Sequence, residues 1–578
     1  RDLHSFPTRR SSDLEMENLP EGHPFKPYEG SAFVTNLQIH ADQNLVDVLA
    51  KKDNFNKIFI LEEVGSTKME WGLEKDVPIS LFKVKKDDKL KDFLRKEKGW
   101  TNEMINKIDI TFTYVDATAS MVKPYADGSY SYANGEGITQ KMSANWQGKP
   151  YPKEAKATAE LLPFLKEKMG GFNPKYITCH DGQAMPLIHF IAEKNASGIE
   201  FYKDKVLTAI GHNLCDGYMY DLSTKDAIVC LAKPGELEKI VKSKEYIEAL
   251  QDGREEEFLR SLLPKELLNS RNEVNAVMFP IAYGDSGYVP MFTTVSDKYY
   301  RSLIENEEVS PALFERLKKL SEQGRFKGIL NVLNDPNTSG FTTDGLGTYY
   351  KQDCTVLLAN GEEVTLPKFQ AFNEAEKYDL AKMREVKRHN KLSLLKRLDK
   401  GLADAQLKII GEDNIVELME KGTGFSAAVT GGTGRKFKIL GGISKKYIEM
   451  LEQGKDVPMY VSWGRGDFQK GMDTALESFA KFVQKHQDTN AIFIFGGDMS
   501  NISEEINEMM KKYAGVLEGR VLGLNGWAPG NAFAAAGDYS ILTSRFAPCE
   551  LTDFESMRKG CVPIVPKVQG SLDRKSVV

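Results

Sequence analysis

The sequence predicts an α/β protein made of two Rossmann-like, doubly wound domains that face each other across a cleft. Apolar strands alternate with helical patterns over two separate stretches, and such alternation implies parallel sheets covered on both faces. At 578 residues the chain is also too long for one core, so two or three domains are expected. Finally, the polar and Gly-rich sequences sit just after strands, where parallel sheets bind their ligands.

Taken in order, residues 33–115 read as mixed strands and helices, with 57–61 and 108–112 as short apolar strands. From Pro152 the pattern becomes regular: helix 155–169, strand 176–179, a helix after Gly182, and strand 205–210. A helical, charged segment occupies 227–275, followed by apolar stretches at 291–296 and 328–334. The second alternation begins near Val457 with strand 457–463, a Gly-flanked loop and helix 472–486. It continues through strand 491–495, the turn Gly496-Gly497-Asp498, a helix, strand 521–523, a helix and strand 539–543. The predicted domains are therefore 15–335 and 457–572, with 336–456 as a connecting region that carries an inserted stretch near 404–451. Within that stretch, Thr430 to Lys436 is rich in Gly, but Lys436 is followed by Phe437 and not by the Ser or Thr of a phosphate-binding loop, so it reads as a flexible surface loop.

Bulk properties exclude several classes. Hydrophobic residues make up 41% and charged residues 28%, which suits a globular protein, and a net charge of -5 gives no electrostatic footprint for nucleic acid. The Lys-rich runs 83–98 and 382–396 alternate with acids and apolar residues and read as solvated helix faces. Cys179, Cys215, Cys230, Cys354, Cys549 and Cys561 form no C-x-x-C pair and read as reduced core residues of a cytoplasmic protein. No apolar run approaches the roughly eighteen residues of a spanning helix, so no membrane association is expected. Residues 1–14 and 573–578 resemble a translated sequencing-adapter oligonucleotide read on its two strands. They are set apart from the fold, and the biological chain is expected to continue beyond each.

The chemistry concentrates in four short sequences. Gly464-Arg465-Gly466-Asp467-Phe468-Gln469-Lys470-Gly471 places an Arg and a Lys at the end of an apolar strand, an arrangement suited to a diphosphate. Arg offers a fork for bidentate phosphate contact and Lys a compact charge. It is answered by Ser544-Arg545-Phe546-Ala547-Pro548-Cys549-Glu550-Leu551-Thr552. In the first half, His180-Asp181-Gly182-Gln183 follows one strand and Gly211-His212-Asn213-Leu214 the next. Taken singly, Asp181 reads equally well as a helix cap and His212 as a satisfied core residue. Asp473, Asp498 and Cys549 are accounted for by capping, turn formation and packing, and Trp100, Trp146 and Trp527 read as core.

These motifs, in this order, resemble those of the bacterial glycogen/starch synthases, retaining glycosyltransferases of the GT-B fold. The resemblance runs from about Tyr151 to Leu572 and includes Met291 to Ser296 and Gly328 to Asn334. It implies that Arg465 and Lys470 hold the nucleotide diphosphate without a metal, and that Asp181 and His212 face the sugar. It further implies that Glu555 and Gly570 contact the nucleotide sugar. The family's Lys-Thr-Gly-Gly-Leu loop is not found in residues 15–120, and the chain stops at Gln569-Gly570-Ser571-Leu572, where the family continues from a Gly-Gly loop. Ala547 stands where the family has a Glu that holds the transferring glucose. Glu550 takes the family's Gly position, and it would reach the same sugar if the intervening backbone were helical, which makes it the fifth catalytic candidate.

The resemblance implies transfer of glucose from ADP-glucose to the end of an α-1,4-glucan with retention, needing neither metal nor cofactor. Nothing in the sequence reads the base, so UDP-glucose stays open as donor. Two alternatives stand beside it: a glucan- or nucleotide-sugar-binding relative in which Ala547 records lost catalysis, and a retaining GT-B glucosyltransferase with another acceptor. Oligomeric state is not legible.

Overall fold

The computed structural model describes, apart from a few isolated positions, residues 33–38, 61–85, 108–115, 122–124, 130–132, 150–168, 173–214, 221–269, 272–285, 288–305, 311–330, 348–357, 362–371, 379–398, 406–410, 415–417, 438–526 and 528–568. The chain divides into two compact units, one containing His4–Lys123 and Tyr130–Asn331 and the other containing Val332–Val578.

The first unit opens with a four-stranded mixed sheet, in place of the short strands and helices expected over 33–115. Strands β1 (Phe33–Gln38), β2 (Leu61–Trp71), β3 (Glu74–Val84) and β4 (Ile108–Val115) are ordered β1-β4-β3-β2. β1 and β4 are parallel and the other pairs antiparallel. Val77, Ile79 and Leu81 alternate on one buried face of β3, the period-two signature of a half-buried strand. The expected strand at 57–61 lies almost wholly outside the described residues.

Helix α1 (Pro150–Lys168) leads into a regular βα pattern: β5 (Tyr176–His180), α2 (Pro186–Ala196), β6 (Val206–Gly211), β7 (Met291–Thr294) and β8 (Phe326–Gly328). These strands make a four-stranded, all-parallel sheet in the order β8-β7-β6-β5. The predicted helical insertion is present as four short helices, Thr224–Leu231, Glu236–Lys242, Lys244–Gln251 and Glu255–Ser261. A two-stranded ribbon, Asp221–Leu222 with Val274–Asn275, closes its base. There, Asp221 Oδ1 accepts from Asn269 Nδ2 at 2.9 Å and from Asn275 Nδ2 at 2.7 Å.

The second unit carries a small antiparallel sheet of Glu363–Leu366, Cys354–Leu357, Gln406–Ile410 and Ile415–Glu417, in that order. Helix α3 (Leu380–Arg397) follows the first two of these strands in the chain. The main sheet has six strands: β9 (Lys438–Ile443), β10 (Met459–Trp463), β11 (Ile492–Gly497), β12 (Arg520–Asn525), β13 (Tyr539–Ile541) and β14 (Val562–Ile564). Their order is β9-β12-β11-β10-β13-β14, parallel except for the antiparallel edge strand β9. Helices α4 (Met472–Lys485), α5 (Gly530–Ala536) and α6 (Leu551–Arg558) complete the winding. All six residues of β11 are buried, as its unbroken apolar run requires of a central parallel strand.

Two expectations are corrected here. The sheet of the second unit begins at Lys438 and not near Val457, so part of the stretch read as an insertion is its edge strand and the helix Lys445–Glu452. The loop from Thr430 to Lys436 itself lies outside the described residues. The Lys-rich run 382–396 is not a solvated face throughout, because Lys387 and Lys391 are buried. Lys387 Nζ donates to the carbonyls of Ala534 and Gly537 at 2.8 and 2.7 Å, closing the C-terminal end of α5, where a helix presents carbonyls without intrahelical partners. Lys391 Nζ pairs with Asp538 Oδ2 at 2.6 Å and donates to the Val457 carbonyl at 3.0 Å. Burial pushes Lys387 down to about 8. The other Lys-rich run, 83–98, is described only in part, and Lys91 and Lys85 there are at least partly exposed.

Candidate functional site

Each unit carries one of the predicted constellations at the carboxyl ends of its parallel strands. In the first unit, Asp181 follows β5 and His212 follows β6. Asp181 does not act as a helix cap: the capping position is His180, whose side chain makes no capping bond. Instead, the Asp181 carboxylate accepts the His212 backbone N–H at 2.8 Å, fastening the two strand ends together. Asp181 adopts φ 63°, an uncommon conformation for a residue with a side chain. Strain of this kind concentrates at functional positions. The His180 and His212 rings lie 5.9 Å apart between centroids. Thr294 Oγ1 donates to the Gly211 carbonyl at 2.8 Å, and the Leu214 N–H donates to Tyr299 Oη at 2.7 Å, so the turn bearing His212 is held from β7 and beyond.

In the second unit the two distant motifs meet. The loop after β10 carries Arg465 and Lys470, and Gly residues shape it. A Cβ on Gly497 would stand 1.7 Å from the Gly464 carbonyl oxygen, so only glycine lets the loop rest on the end of β11. Gly471, at φ 63°, begins α4, and a Cβ there would stand 2.3 Å from the Thr543 carbonyl oxygen. Thr543 Oγ1 donates to the Gly471 carbonyl at 2.6 Å.

Arg545 is the main tie between the motifs. Its guanidinium spans Asp473 with two contacts, Nη2–Oδ2 at 2.7 Å and Nη1–Oδ1 at 3.2 Å. It also donates to the Phe468 carbonyl at 2.6 Å and to Thr474 Oγ1 at 3.0 Å, and stacks over the Phe468 ring at 4.1 Å. Burial raises the Asp473 carboxyl, but the Arg545 hydrogen bond and charge outweigh it and hold the group below its ordinary value. Gln469 adds Nε2–H to the Phe546 carbonyl at 2.9 Å and a backbone pairing with Arg545 at 2.8 Å.

Arg465 and Lys470 differ in setting. The Arg465 side chain is half exposed, with Asp467 Oδ2 at 3.6 Å from its Nε. Lys470 is partly buried and its Nζ donates to Glu550 Oε1 at 3.0 Å. Glu550 is only 4% exposed, and its other oxygen accepts from Ser544 Oγ at 2.5 Å. Burial pushes the Glu550 carboxyl up, yet the Lys470 charge and the Ser544 and Lys470 hydrogen bonds together bring it below its ordinary value.

The backbone between Ala547 and Glu550 is not helical; α6 starts at Leu551 and Glu550 has ψ 99°. The one-turn reach imagined for Glu550 therefore does not occur, and its carboxylate is turned to Lys470 and Ser544. Ala547 is buried at 2% exposure. Glu555 lies on α6, half-buried, and Gly570 is outside the described residues, as are Trp100, Trp146 and Trp527. The sequence reading did not single out Ser544 or Arg545 as site residues. Both belong to the motif: Ser544 bonds Glu550 six positions along it, whereas Arg545 reaches Asp473 72 positions away. Among the described residues, no group of three His, Cys, Asp or Glu side chains has the arrangement of a metal site. No described helix is long and apolar enough to cross a membrane.

The two units, each built on a parallel or mostly parallel sheet, have the GT-B fold. The fold matches that of the catalytic domain of starch synthase IV from Arabidopsis thaliana bound to ADP and acarbose, with a TM-score of 0.51 at 15% identity over 94% of this chain and 84% of that one. In sequence, the chain is 33% identical over 124 residues to granule-bound starch synthase 1 of Arabidopsis thaliana, covering 21% of this chain and 19% of that protein. It is 29% identical over 116 residues to the glycogen synthase of Xanthomonas campestris, covering 20% and 23% respectively. No protein-family profile matches the chain. The chain thus has the GT-B fold and is similar over part of its length to glycogen and starch synthases, and the matched segment spans about a fifth of the length of those curated relatives.

Proposed function

We propose that this protein transfers glucose from a nucleotide sugar, ADP-glucose ahead of UDP-glucose, to the non-reducing end of an α-1,4-glucan, with retention at the anomeric carbon. The observation that carries the reading is the loop after β10, where Arg465 and Lys470 are presented beside a motif locked to it by Arg545. Departure of a nucleoside diphosphate leaves negative charge on phosphoryl oxygens, and two fixed cations stabilise that charge electrostatically. Arg465 supplies a planar fork and Lys470 a point charge.

In the first unit, the carboxylate that holds the His212 N–H fixes the turn at the end of β6, and this fixed turn suits a sugar-binding role for Asp181 and His212. Glu555 on α6 is assigned to the nucleotide ribose, and Gly570 to the nucleotide sugar. No metal or cofactor is needed in this scheme. The glucan and the nucleotide sugar are the partners it requires.

Donor binding tests the proposal. Isothermal titration with ADP and with UDP should show binding to the wild type that weakens about tenfold or more in Arg465→Ala and in Lys470→Ala, each having lost a charge-assisted phosphate contact. Binding unaffected by both substitutions would remove this loop from the donor site.

A further inference from the structure

In the second unit every cation of the two motifs has an internal carboxylate: Arg465 has Asp467, Arg545 has Asp473, and Lys470 has Glu550. The three pairs are not equivalent. Arg465 is half exposed and 3.6 Å from its partner, so water screens that pair. Arg545 is spent on the loop itself. Lys470 faces a carboxylate that is almost fully buried, ionised and locked from its far side by Ser544. A charge buried this close to Lys470 acts through protein more than through water, and so is screened little by salt.

Resting on the diphosphate reading of this loop, we propose that Glu550 is a built-in counter-ion of Lys470 that lowers the affinity of the site for a diphosphate. The carboxylate occupies one of the three ammonium donors and opposes the field that would draw phosphoryl oxygens to it. A diphosphate approaching Lys470 also comes within a few ångströms of the Glu550 charge and is repelled by it. Glu550 therefore acts through Lys470 as a positioning and affinity-setting residue. The arrangement keeps Lys470 pointed and ordered before ligand arrives, at a cost in binding strength.

Glu550→Gln is the informative variant, since an amide of the same shape keeps hydrogen-bonding capacity towards Lys470 and Ser544 while removing the charge. Binding of inorganic pyrophosphate, ADP and UDP would be measured by titration calorimetry at two salt concentrations. The wild type, Glu550→Gln, Lys470→Met and the double variant would be compared, with circular dichroism to check folding. The proposal expects Glu550→Gln to bind pyrophosphate about tenfold more tightly, with a steeper salt dependence. The gain should vanish when Lys470 is Met. Unchanged or weaker pyrophosphate binding in Glu550→Gln, a gain that survives in the Lys470→Met background, or no pyrophosphate binding by any form would each overturn it. If pyrophosphate tightens as expected while neither ADP nor UDP binds any form, the counter-ion stands and the nucleotide-sugar reading falls.

Discussion

The tie between the two motifs of the second unit is testable as an energy. Arg545 contacts Asp473 through both terminal guanidinium nitrogens at 2.7 and 3.2 Å, with the two side chains 32% and 23% exposed. A charge-assisted bidentate pair of this geometry contributes more than an ordinary hydrogen bond, but partial exposure reduces its share. The Arg545–Asp473 coupling should therefore be about 1–2 kcal/mol, read from a double-mutant cycle of Arg545→Met and Asp473→Asn in urea. Arg545→Met alone should cost more, about 3 kcal/mol, because the Phe468 carbonyl and Thr474 hydroxyl lose their donors as well. It should also weaken ADP binding without Arg545 touching the ligand, since the loop bearing Arg465 and Lys470 is no longer fastened. Arg545→Lys should not rescue either effect, as an ammonium cannot span two carboxylate oxygens and still reach Phe468 and Thr474. Because the Asp473 carboxyl is held below its unfolded value, the coupling should persist at neutral pH and be lost as acid titrates through its folded value. A coupling below about 0.3 kcal/mol, or full rescue by Lys, would refute the account of how these motifs are joined.

Three other perturbations follow from particular contacts. Gly497→Ala should destabilise the second unit by about 2–3 kcal/mol and remove ADP binding, because its Cβ falls on the Gly464 carbonyl; thermal unfolding and calorimetry read both. Lys387→Met should cost about 2–4 kcal/mol in urea, by leaving the buried Ala534 and Gly537 carbonyls without a donor. His189 is buried, 2.7 Å from Tyr283 Oη, and burial with the nearby Lys156 charge pulls it down to about 4. The unfolded chain then takes up a proton between pH 6.5 and 4 that the folded chain does not, so about 3 kcal/mol of stability should drain away across that window. Glu193, raised by burial, works in the opposite direction, and comparison with His189→Asn isolates the histidine contribution.

How much of this was legible in the sequence depends on how local the signal is. Strands such as Ile492–Gly497 are continuous apolar runs between turn residues, and a central parallel strand can be little else. The Gly-Arg-Gly and His-Asp sequences were found because they follow such strands. The edge strand Lys438–Ile443 fell within the stretch read as inserted; it contains Gly441-Gly442 and pairs with a strand some eighty residues later, so it carries little local strand signal. The eleven-residue strands of the first sheet went unread although Val77, Ile79 and Leu81 alternate cleanly. Lys387 and Lys391 carry no local sign of burial; Lys387 serves carbonyls at the end of a helix 147 positions on, and Lys391 the Val457 carbonyl 66 positions on. The same holds for Glu550, whose buried bond to Lys470 spans 80 positions.

Transfer itself is the most direct test of the central claim. The protein, incubated with radiolabelled ADP-glucose or UDP-glucose and glycogen, should place label in precipitated glucan, more from ADP-glucose, and lose that label in Lys470→Ala. No label from either donor, in a folded protein that still binds ADP and glucan, would contradict the claim and mark the chain as a binding relative in which Ala547 has replaced a working carboxylate.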